Sequence, residues 1–164
     1  MLLLLFRHGI AEDLSELVTE DFDRALTSEG RDRTHRAALG LSKIVRSIDF
    51  LASSPKIRAK QTAQLLRDVY GKECPNLKIW DELASCDDFA VIKRKLAALE
   101  AETVVLVGHE PDLSLFTAHL LVGEGRLLVD FKKAGVCAIE VDWQSGVAHL
   151  QFFIPPKALR KLAK

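Results

Sequence analysis

Two uninterrupted apolar runs mark the chain, at Leu2–Phe6 and at Thr103–Val107. A strand that is buried on both faces has such a run, and burial of this kind is typical of the centre of a parallel sheet. Ile48–Ala52 and Leu77–Trp80 are further apolar stretches that predict two shorter strands. The four segments together predict a mostly parallel sheet.

A different pattern follows near the end of the chain. Val136–Val141 and Val147–Ile154 alternate between apolar and polar residues, and Gln144-Ser145-Gly146 lies between them. Alternating segments joined by such a turn predict a β-hairpin. We expect this hairpin to add an antiparallel edge to the sheet.

The segments between the predicted strands have the periodicity of amphipathic helices. The predicted helices run from an N-cap at Thr27 to about Arg46, over Ile57–Tyr70 and Phe89–Leu99, and from an N-cap at Asp112 to about Val122. Alternation of strands and helices predicts an α/β fold with helices on both faces of the sheet. Because no linker divides the chain, residues 1–164 are expected to form a single domain.

The amino-acid composition indicates which classes of binding partner are to be expected. The 23 Lys and Arg residues balance 23 Asp and Glu residues, whereas nucleic-acid and membrane-surface proteins favour a basic excess. Cys74, Cys86 and Cys137 are too few and too scattered to predict a disulfide framework or a zinc site. No stretch reaches the length of a membrane span. We expect a cytoplasmic protein with no nucleic-acid or membrane partner, and the sequence predicts no oligomeric state.

Cationic side chains follow three of the predicted strands. Arg7 and His8 come after the first strand, Arg58 follows the second, and His109 comes after the buried run that ends at Val107. Ligands of open α/β sheets bind at the carboxyl ends of strands. A cationic cluster without a carboxylate in the same motifs is costly unless an anion binds there, and guanidinium groups match phosphate oxygens. The pattern predicts a phosphate site.

Three segments, in this order, resemble the sequence blocks of the histidine phosphatase superfamily, whose fold is phosphoglycerate-mutase-like. Leu5–Gly9 is similar to the RHG signature, Ser53–Ala63 to the block with a phosphate-binding arginine, and Val107–Pro111 to the block with the second catalytic histidine. Arg24–Gly30 and Gly108–Leu113 further resemble the branch of SixA-type phosphohistidine phosphatases.

The resemblance implies a metal-independent phosphatase. His8 would be the nucleophile that forms a phosphohistidine intermediate, and Arg7, Arg58 and His109 would bind the phosphoryl oxygens. His109 would also be the second catalytic histidine. No metal and no cofactor are implied, since the arginines neutralise the charge of the phosphoryl group and positioning supplies most of the catalysis.

The general acid is less well defined by the resemblance. Larger members of the superfamily have a glutamate between the second and third blocks, and Glu82 occupies a comparable position here, with Asp81 and Glu110 as alternatives. The SixA-type branch is thought to need no conventional acid. Loss of an alkoxide needs a proton donor, whereas imidazole is a much easier leaving group.

Three functions are compatible with this pattern. The favoured one is removal of phosphoryl groups from histidine on a protein such as a phosphotransfer domain, because only the loop Ala11–Leu26 is long enough to cover the pocket. The alternative is a phosphatase for small phosphoesters with Glu82 as its acid, which a closed loop would favour. A non-catalytic phosphate-binding module is disfavoured because the four cationic site residues are all present.

Overall fold

The apolar run at the start of the chain forms the interior of a six-stranded sheet. The structure is a computed structural model that describes residues 1–85, 88–123 and 129–164. Its strands are β1 (Leu2–Arg7), β2 (Phe50–Ser53), β3 (Lys78–Ile79), β4 (Thr103–Gly108), β5 (Val136–Asp142) and β6 (Val147–Ile154). Cys86, one of the scattered cysteines, lies outside the described residues.

The strands are ordered β3-β2-β4-β1-β5-β6 across the sheet. Strands β3, β2, β4 and β1 are parallel, and β5 pairs with β1 in the antiparallel direction. The β5–β6 hairpin therefore supplies the antiparallel edge. This arrangement confirms the predicted α/β class with its mostly parallel sheet.

Helices cover both faces of the sheet, as predicted. They are α1 (Ser28–Ser42), α2 (Ile57–Tyr70), α3 (Phe89–Ala97), α4 (Asp112–Val122) and α5 (Pro156–Leu162). No helix in the described parts of the chain is long and apolar enough to cross a membrane.

Strand β1 contributes alternate side chains to two separate cores. Leu4 and Phe6 pack with apolar residues of α1, α2 and α5 on one face, and Leu3 and Leu5 pack with α3 and α4 on the other. All four side chains are fully buried. Burial on both faces is the reason that the β1 sequence is continuously apolar rather than alternating.

Several predicted boundaries differ from the structure. Helix α1 ends at Ser42 instead of about Arg46, because the following residues Val45 and Ile48 turn back to bury their side chains in the core. The third strand has only two residues, both exposed, since β3 lies at the edge of the sheet.

The structure confirms one of the two predicted N-caps. Thr27 is the N-cap of α1, and its hydroxyl oxygen accepts a 2.9 Å hydrogen bond from the Gly30 N–H. Asp112 was expected to cap α4 but is its first residue, and the N-cap is Pro111 with no side-chain cap. Gly71 follows α2 with a φ of 56°, a left-handed conformation that favours glycine.

Close approach of α5 to α1 makes a stability prediction. A Cβ atom at Gly40 would lie 1.9 Å from the backbone oxygen of Leu159. We expect Gly40→Ala to lower the free energy of unfolding by roughly 1–3 kcal/mol, because backbone must move to admit the methyl group. Urea denaturation measures this change. Arg36→Ala on the exposed face of α1 is the control, with an expected change within about 0.5 kcal/mol; equal effects of the two substitutions would contradict the prediction.

Candidate active site

The register of the parallel strands places the predicted site residues at one edge of the sheet. Phe6 and Ser53 are both level with Val107. The backbone N–H of His8 donates to the Gly108 carbonyl at 3.1 Å, which fixes the start of the loop after β1 beside the end of β4. The segments that follow these strands therefore converge on the same cleft.

This cleft has a volume of about 640 Å³, and all four predicted cationic residues line it. They are Arg7, His8, Arg58 and His109. His8, Arg58 and His109 are only 5–6% exposed. The two imidazole rings have centroids 5.0 Å apart and are tilted by 50°. The structure thus brings the predicted phosphate site together.

Two hydrogen bonds define the tautomer of His8. Its Nδ1 lies 2.7 Å from the backbone oxygen of Gly9, which can only accept, so Nδ1 carries the proton. The Arg58 Nε–H points at His8 Nε2 over 3.3 Å, and a guanidinium can only donate. Both contacts assign a lone pair to Nε2. An imidazole held in this way can act as a nucleophile through Nε2.

Burial keeps both histidines neutral. It lowers the pKa of His8 to about 3, with further lowering by Arg58, Arg7 and Lys133 against the opposing hydrogen bond to Gly9. The pKa of His109 is also lowered to about 3, first by burial and then by neighbouring His8 and Arg58. Protonation would add charge to a cationic cluster, so the neutral form of each ring dominates at neutral pH.

Ser54 connects His109 to the start of α2. The Ser54 hydroxyl lies 2.8 Å from His109 Nε2, and it accepts a 3.2 Å hydrogen bond from the backbone N–H of Lys56. Its own proton can then go to Nε2, which leaves the His109 proton on Nδ1. That nitrogen is buried and has no hydrogen-bond partner among the described residues. His109 can therefore offer an N–H group to an anion.

Arg7 forms a hydrogen bond with the segment before β5. Its Nη1 donates to the backbone oxygen of Phe131, and its buried Nε has no partner within the described ranges. Burial lowers the pKa of Arg7 despite the opposing charges of Glu110 and Asp130. The remaining guanidinium donors are available at the cleft, which Arg7 lines.

A carboxylate from the loop Ala11–Leu26 already occupies the cationic cleft. Asp21 Oδ2 accepts 3.0 Å hydrogen bonds from Arg58 Nη2 and Lys56 Nζ, and Oδ1 accepts one of 3.1 Å from Arg24. Arg58 Nη1 also donates to the Asp21 backbone oxygen at 2.5 Å. Burial raises the pKa of Asp21, but these hydrogen bonds outweigh it and hold the pKa well below its usual range. The carboxylate that pairs with Arg58 thus comes from a loop that is distant in the sequence.

The same loop contributes two residues to the lining of the cleft. Asp21 and Arg24 line the cleft, whereas most of residues 12–20 are exposed, and Leu17 is 96% exposed. The loop therefore reaches the site through one short turn at Asp21–Asp23.

The structure does not bring Glu82 into the cleft. Glu82 lines a small, mainly apolar cavity next to His109, and its carboxylate pairs with Lys95 Nζ at 2.7 Å. The hydrogen bond from Lys95 lowers the pKa of Glu82 and so favours the charged form, which cannot donate a proton. Asp81 is likewise absent from the residues that line the cleft.

Glu110 is the glutamate that lines the cleft. Its Oε1 accepts a 2.9 Å hydrogen bond from the Ser114 hydroxyl. Burial raises the pKa of Glu110, against opposing effects of Ser114 and Arg7. A raised pKa favours the protonated carboxyl that a general acid needs. Glu110 was an alternative in the sequence analysis, and its position now makes it the better-placed carboxyl.

Five charged residues of the cleft were not predicted: Asp21, Arg24, Lys56, Asp112 and Lys133. Lys56 and Asp112 could have been found, since each lies at the start of a helix that follows a predicted strand. Arg24 belongs to a segment that carries the family resemblance, whereas Asp21 and Lys133 lie in loops whose approach to the site has no local sequence signal. Within the described ranges, no cluster of His, Cys, Asp or Glu has the arrangement of a metal site.

Comparison with known proteins identifies the family. Residues 3–87 match the model of the histidine phosphatase superfamily, branch 1. An uncharacterized protein of Picosynechococcus is 36% identical, over 92% of this chain and 89% of that protein. The chain therefore belongs to the histidine phosphatase superfamily, and phosphatase activity is supported.

Two of the similar proteins are phosphohistidine phosphatases. SixA of Escherichia coli K12 is 28% identical, over 100% of this chain and 99% of that protein. A solved structure of the protein histidine phosphatase SixA complexed with tungstate superimposes with a TM-score of 0.85 at 25% identity, over 97% of this chain and 99% of that one. This strong structural match confirms the predicted likeness to SixA.

A small-molecule phosphatase has the same fold. The mycobacterial glucosyl-3-phosphoglycerate phosphatase with inorganic phosphate superimposes with a TM-score of 0.72 at 19% identity, over 97% of this chain and 98% of that one. At this identity the likeness shows the fold alone. Fold similarity therefore does not distinguish a protein substrate from a small phosphoester.

The position of Asp21 makes a prediction about anion affinity. Because its carboxylate competes with phosphate for Arg58, Lys56 and Arg24, we expect Asp21→Asn to tighten the Kd of inorganic phosphate by about tenfold, or about 1.4 kcal/mol. Isothermal titration calorimetry measures this Kd. Asp23→Asn, in the same exposed turn, is the control. Weaker phosphate binding by Asp21→Asn would contradict competition and show that Asp21 instead holds Arg58 in its binding position.

The lowered histidine pKa values predict a loss of stability in acid. Between about pH 6.5 and about pH 3 the unfolded chain binds protons that the folded His8 and His109 do not, so the free energy of unfolding falls as pH falls through this window. From about pH 6.5 to about pH 5, each ring contributes a loss of roughly 2 kcal/mol. Urea denaturation at both pH values should show a smaller loss for His8→Asn than for wild type. Equal losses would contradict the neutral, buried state of His8.

Proposed function

We propose that the chain, as one histidine phosphatase domain over residues 1–164, removes phosphoryl groups from phosphohistidine on proteins. The observation that carries the chemistry is the lone pair on His8 Nε2, held by the contacts of that ring with Gly9 and Arg58. It faces a cleft lined by Arg7, Arg58 and His109, whose N–H groups suit the three oxygens of a phosphoryl group. In this proposal the cationic side chains of the cleft neutralise the charge of the substrate.

The first step is transfer of the phosphoryl group to His8. The Nε2 lone pair leaves its hydrogen bond with Arg58 Nε and forms the new bond to phosphorus as the bond from phosphorus to the substrate ring nitrogen breaks. The leaving ring departs as neutral imidazole when its other nitrogen carries a proton. The positive charge that develops on His8 is stabilised by its Nδ1–H bond to the Gly9 carbonyl.

The second step restores the enzyme. Water attacks phosphorus, the bond from phosphorus to Nε2 breaks, and the electron pair returns to Nε2 while Nδ1 keeps its proton. The proton of the attacking water passes to the released phosphate or to solvent. Arg7, Arg58 and the Nδ1–H of His109 hold the phosphoryl oxygens in both steps, so the charge that moves during transfer meets fixed donors.

Access and leaving-group chemistry favour the protein substrate. Among the described residues, the loop Ala11–Leu26 contributes only Asp21 and Arg24 to the lining of the cleft, which leaves room for a phosphohistidine on a protein surface. Imidazole leaves without a general acid, so turnover of phosphohistidine depends neither on Glu82, which lies outside the cleft, nor on Glu110. The similar SixA structure holds tungstate, an oxyanion like phosphate.

Glu110 supports a second candidate, a phosphatase for small phosphoesters. An alkoxide needs a proton as it leaves, and Glu110 lines the cleft with a raised pKa. In this candidate Glu110 takes the role that the sequence predicted for Glu82, and its carboxyl proton passes to the ester oxygen. The two candidates share His8 as nucleophile and differ in their need for an acid.

Phosphate release from two substrates distinguishes the candidates. The substrates are a histidine-phosphorylated phosphotransfer domain and glycerol 2-phosphate, an alkyl ester whose leaving alkoxide needs a proton, each with EDTA present. We expect His8→Asn to abolish turnover of both substrates, because no lone pair remains to attack phosphorus. Glu110→Gln should lower ester turnover by roughly 10²-fold or more but leave phosphoprotein turnover nearly unchanged. Glu82→Gln is the matched control and should change neither rate.

Each other outcome has a definite meaning. Turnover of the ester alone by wild type would support the small-molecule phosphatase. Loss of ester turnover in Glu82→Gln but not in Glu110→Gln would assign the acid to Glu82. Full activity of His8→Asn would contradict the covalent mechanism, which mass spectrometry of phosphorylated His8 tests independently.

A further inference from the structure

A second cavity lies beside the active cleft and has an unusual charge. Its volume is about 390 Å³, and among the described residues its lining includes six cationic side chains and no carboxylate. They are Arg7, Arg33, Lys132, Lys133, Lys157 and Arg160. The whole chain has equal numbers of basic and acidic residues, so these cations are concentrated on one surface. We call this surface the basic patch.

The basic patch is built from distant parts of the chain. Arg33 comes from α1, Lys132 and Lys133 come from the segment before β5, and Lys157 and Arg160 come from α5. Packing of α5 against α1 places the ends of these segments together. Like charges repel, so tertiary packing has assembled a cluster that is unfavourable unless an anionic partner compensates it.

Neighbouring carboxylates compensate only part of this charge. Arg33 pairs with Glu29, and Lys132 pairs with Asp130, but the side chains of both pairs are largely exposed. Exposed pairs of this kind exchange readily with other partners. Lys133, Lys157 and Arg160 form no salt bridge with any of the residues that the structure describes.

The basic patch is continuous with the active cleft. Arg7 and Lys133 line both cavities. The charge of Lys133 also contributes to lowering the pKa of His8, which places it within electrostatic reach of the nucleophile. A partner whose phosphoryl group lies at His8 would therefore extend directly over the basic patch.

The lining of the cavity also contains apolar residues. Ile10, Ala134 and Pro156 lie among the cations, of which Lys157 is exposed. Protein interfaces combine apolar contacts with polar and charged side chains. A small polyanion or a nucleic acid would gain little from the apolar residues, whereas a protein surface can place apolar side chains against them and acidic side chains against the cations.

We infer that the basic patch is a docking surface for an acidic protein surface that carries the phosphorylated residue. This inference rests on the proposed function and adds the site that selects the protein. Charged side chains at an interface, such as those of the basic patch, steer association and contribute to specificity. Chemistry at His8 proceeds without them, so their loss should raise KM for a phosphoprotein and leave small substrates unaffected.

Charge reversal on α5 tests the inference with a matched control. Lys157→Glu/Arg160→Glu reverses two charges of the basic patch, and Lys161→Glu/Lys164→Glu reverses two on the same terminal segment outside it. Both variants change the net charge equally. Lys157→Gln/Arg160→Gln is a milder second variant if the reversal disturbs folding, which circular dichroism monitors.

The first readout is binding, which needs no turnover. We expect a polyglutamate peptide with apolar residues at intervals to bind wild type and the control alike. The basic-patch variant should bind it about tenfold more weakly, and added salt should abolish the difference. Equal affinity of the basic-patch variant and the control would overturn the inference. Tighter binding of a single-stranded RNA oligomer that depends on the same residues would also overturn it, in favour of a nucleic acid.

The second readout is turnover of a histidine-phosphorylated phosphotransfer domain and of phosphoimidazole. A rise in KM of about tenfold for the phosphoprotein alone, with kcat unchanged, would support docking. A similar rise for phosphoimidazole would overturn it, because the patch would then serve the small anion itself. If wild type binds the peptide through the patch but does not hydrolyse the phosphoprotein, the docking surface stands and the proposed function fails.

Discussion

The parallel pairing of β4 with β1 on one side and β2 on the other is the constraint on which the active site depends. Each strand ends at the same edge of the sheet, and the residue after each end carries or leads to a cationic side chain. Backbone hydrogen bonds fix this register, and a slip of one residue would exchange the two faces of β1 and unpack both cores. The position of His8 relative to His109 is therefore as rigid as the sheet itself.

This rigidity supports a cluster that is unfavourable by itself. Burial and the neighbouring guanidinium groups keep His8 and His109 neutral, so the site gains donors and a nucleophile without two further charges. Asp21 compensates the charges of Arg58, Lys56 and Arg24. A site that binds an anion only during turnover needs such a partner, because buried unpaired cations destabilise the fold.

The same constraint connects the nucleophile to the surface beyond the cleft. The loop after β1 lies under the segment before β5, since the Ala134 N–H donates to the Arg7 and His8 carbonyls. That segment carries Lys132 and Lys133 and brings the basic patch up to the active cleft. One short stretch of backbone thus joins the chemical site to the surface that would recognise a protein partner.

The amino-acid sequence alone predicted most of the strands and helices and indicated the family. Continuous apolar runs predicted β1 and β4, because burial on both faces leaves no room for polar residues, and strand ends predicted Arg7, His8, Arg58 and His109 at the cleft. The sequence pattern does not predict a boundary that is set by packing in the core, such as the end of α1 at Ser42. Local pattern carries this information since each of these features depends on neighbours along the chain.

Tertiary packing, and not the local sequence, determines which carboxylates lie beside the cationic residues. Glu82 was predicted from its position between the blocks, but Lys95 on α3 holds it away from the cleft, while Glu110 lies within it. The approach of Asp21 to Arg58 joins residues 37 positions apart through a loop with no local signal. Ion pairs depend on distance in space, and a charged residue in a sequence pattern gives no indication of the partner that packing brings to it.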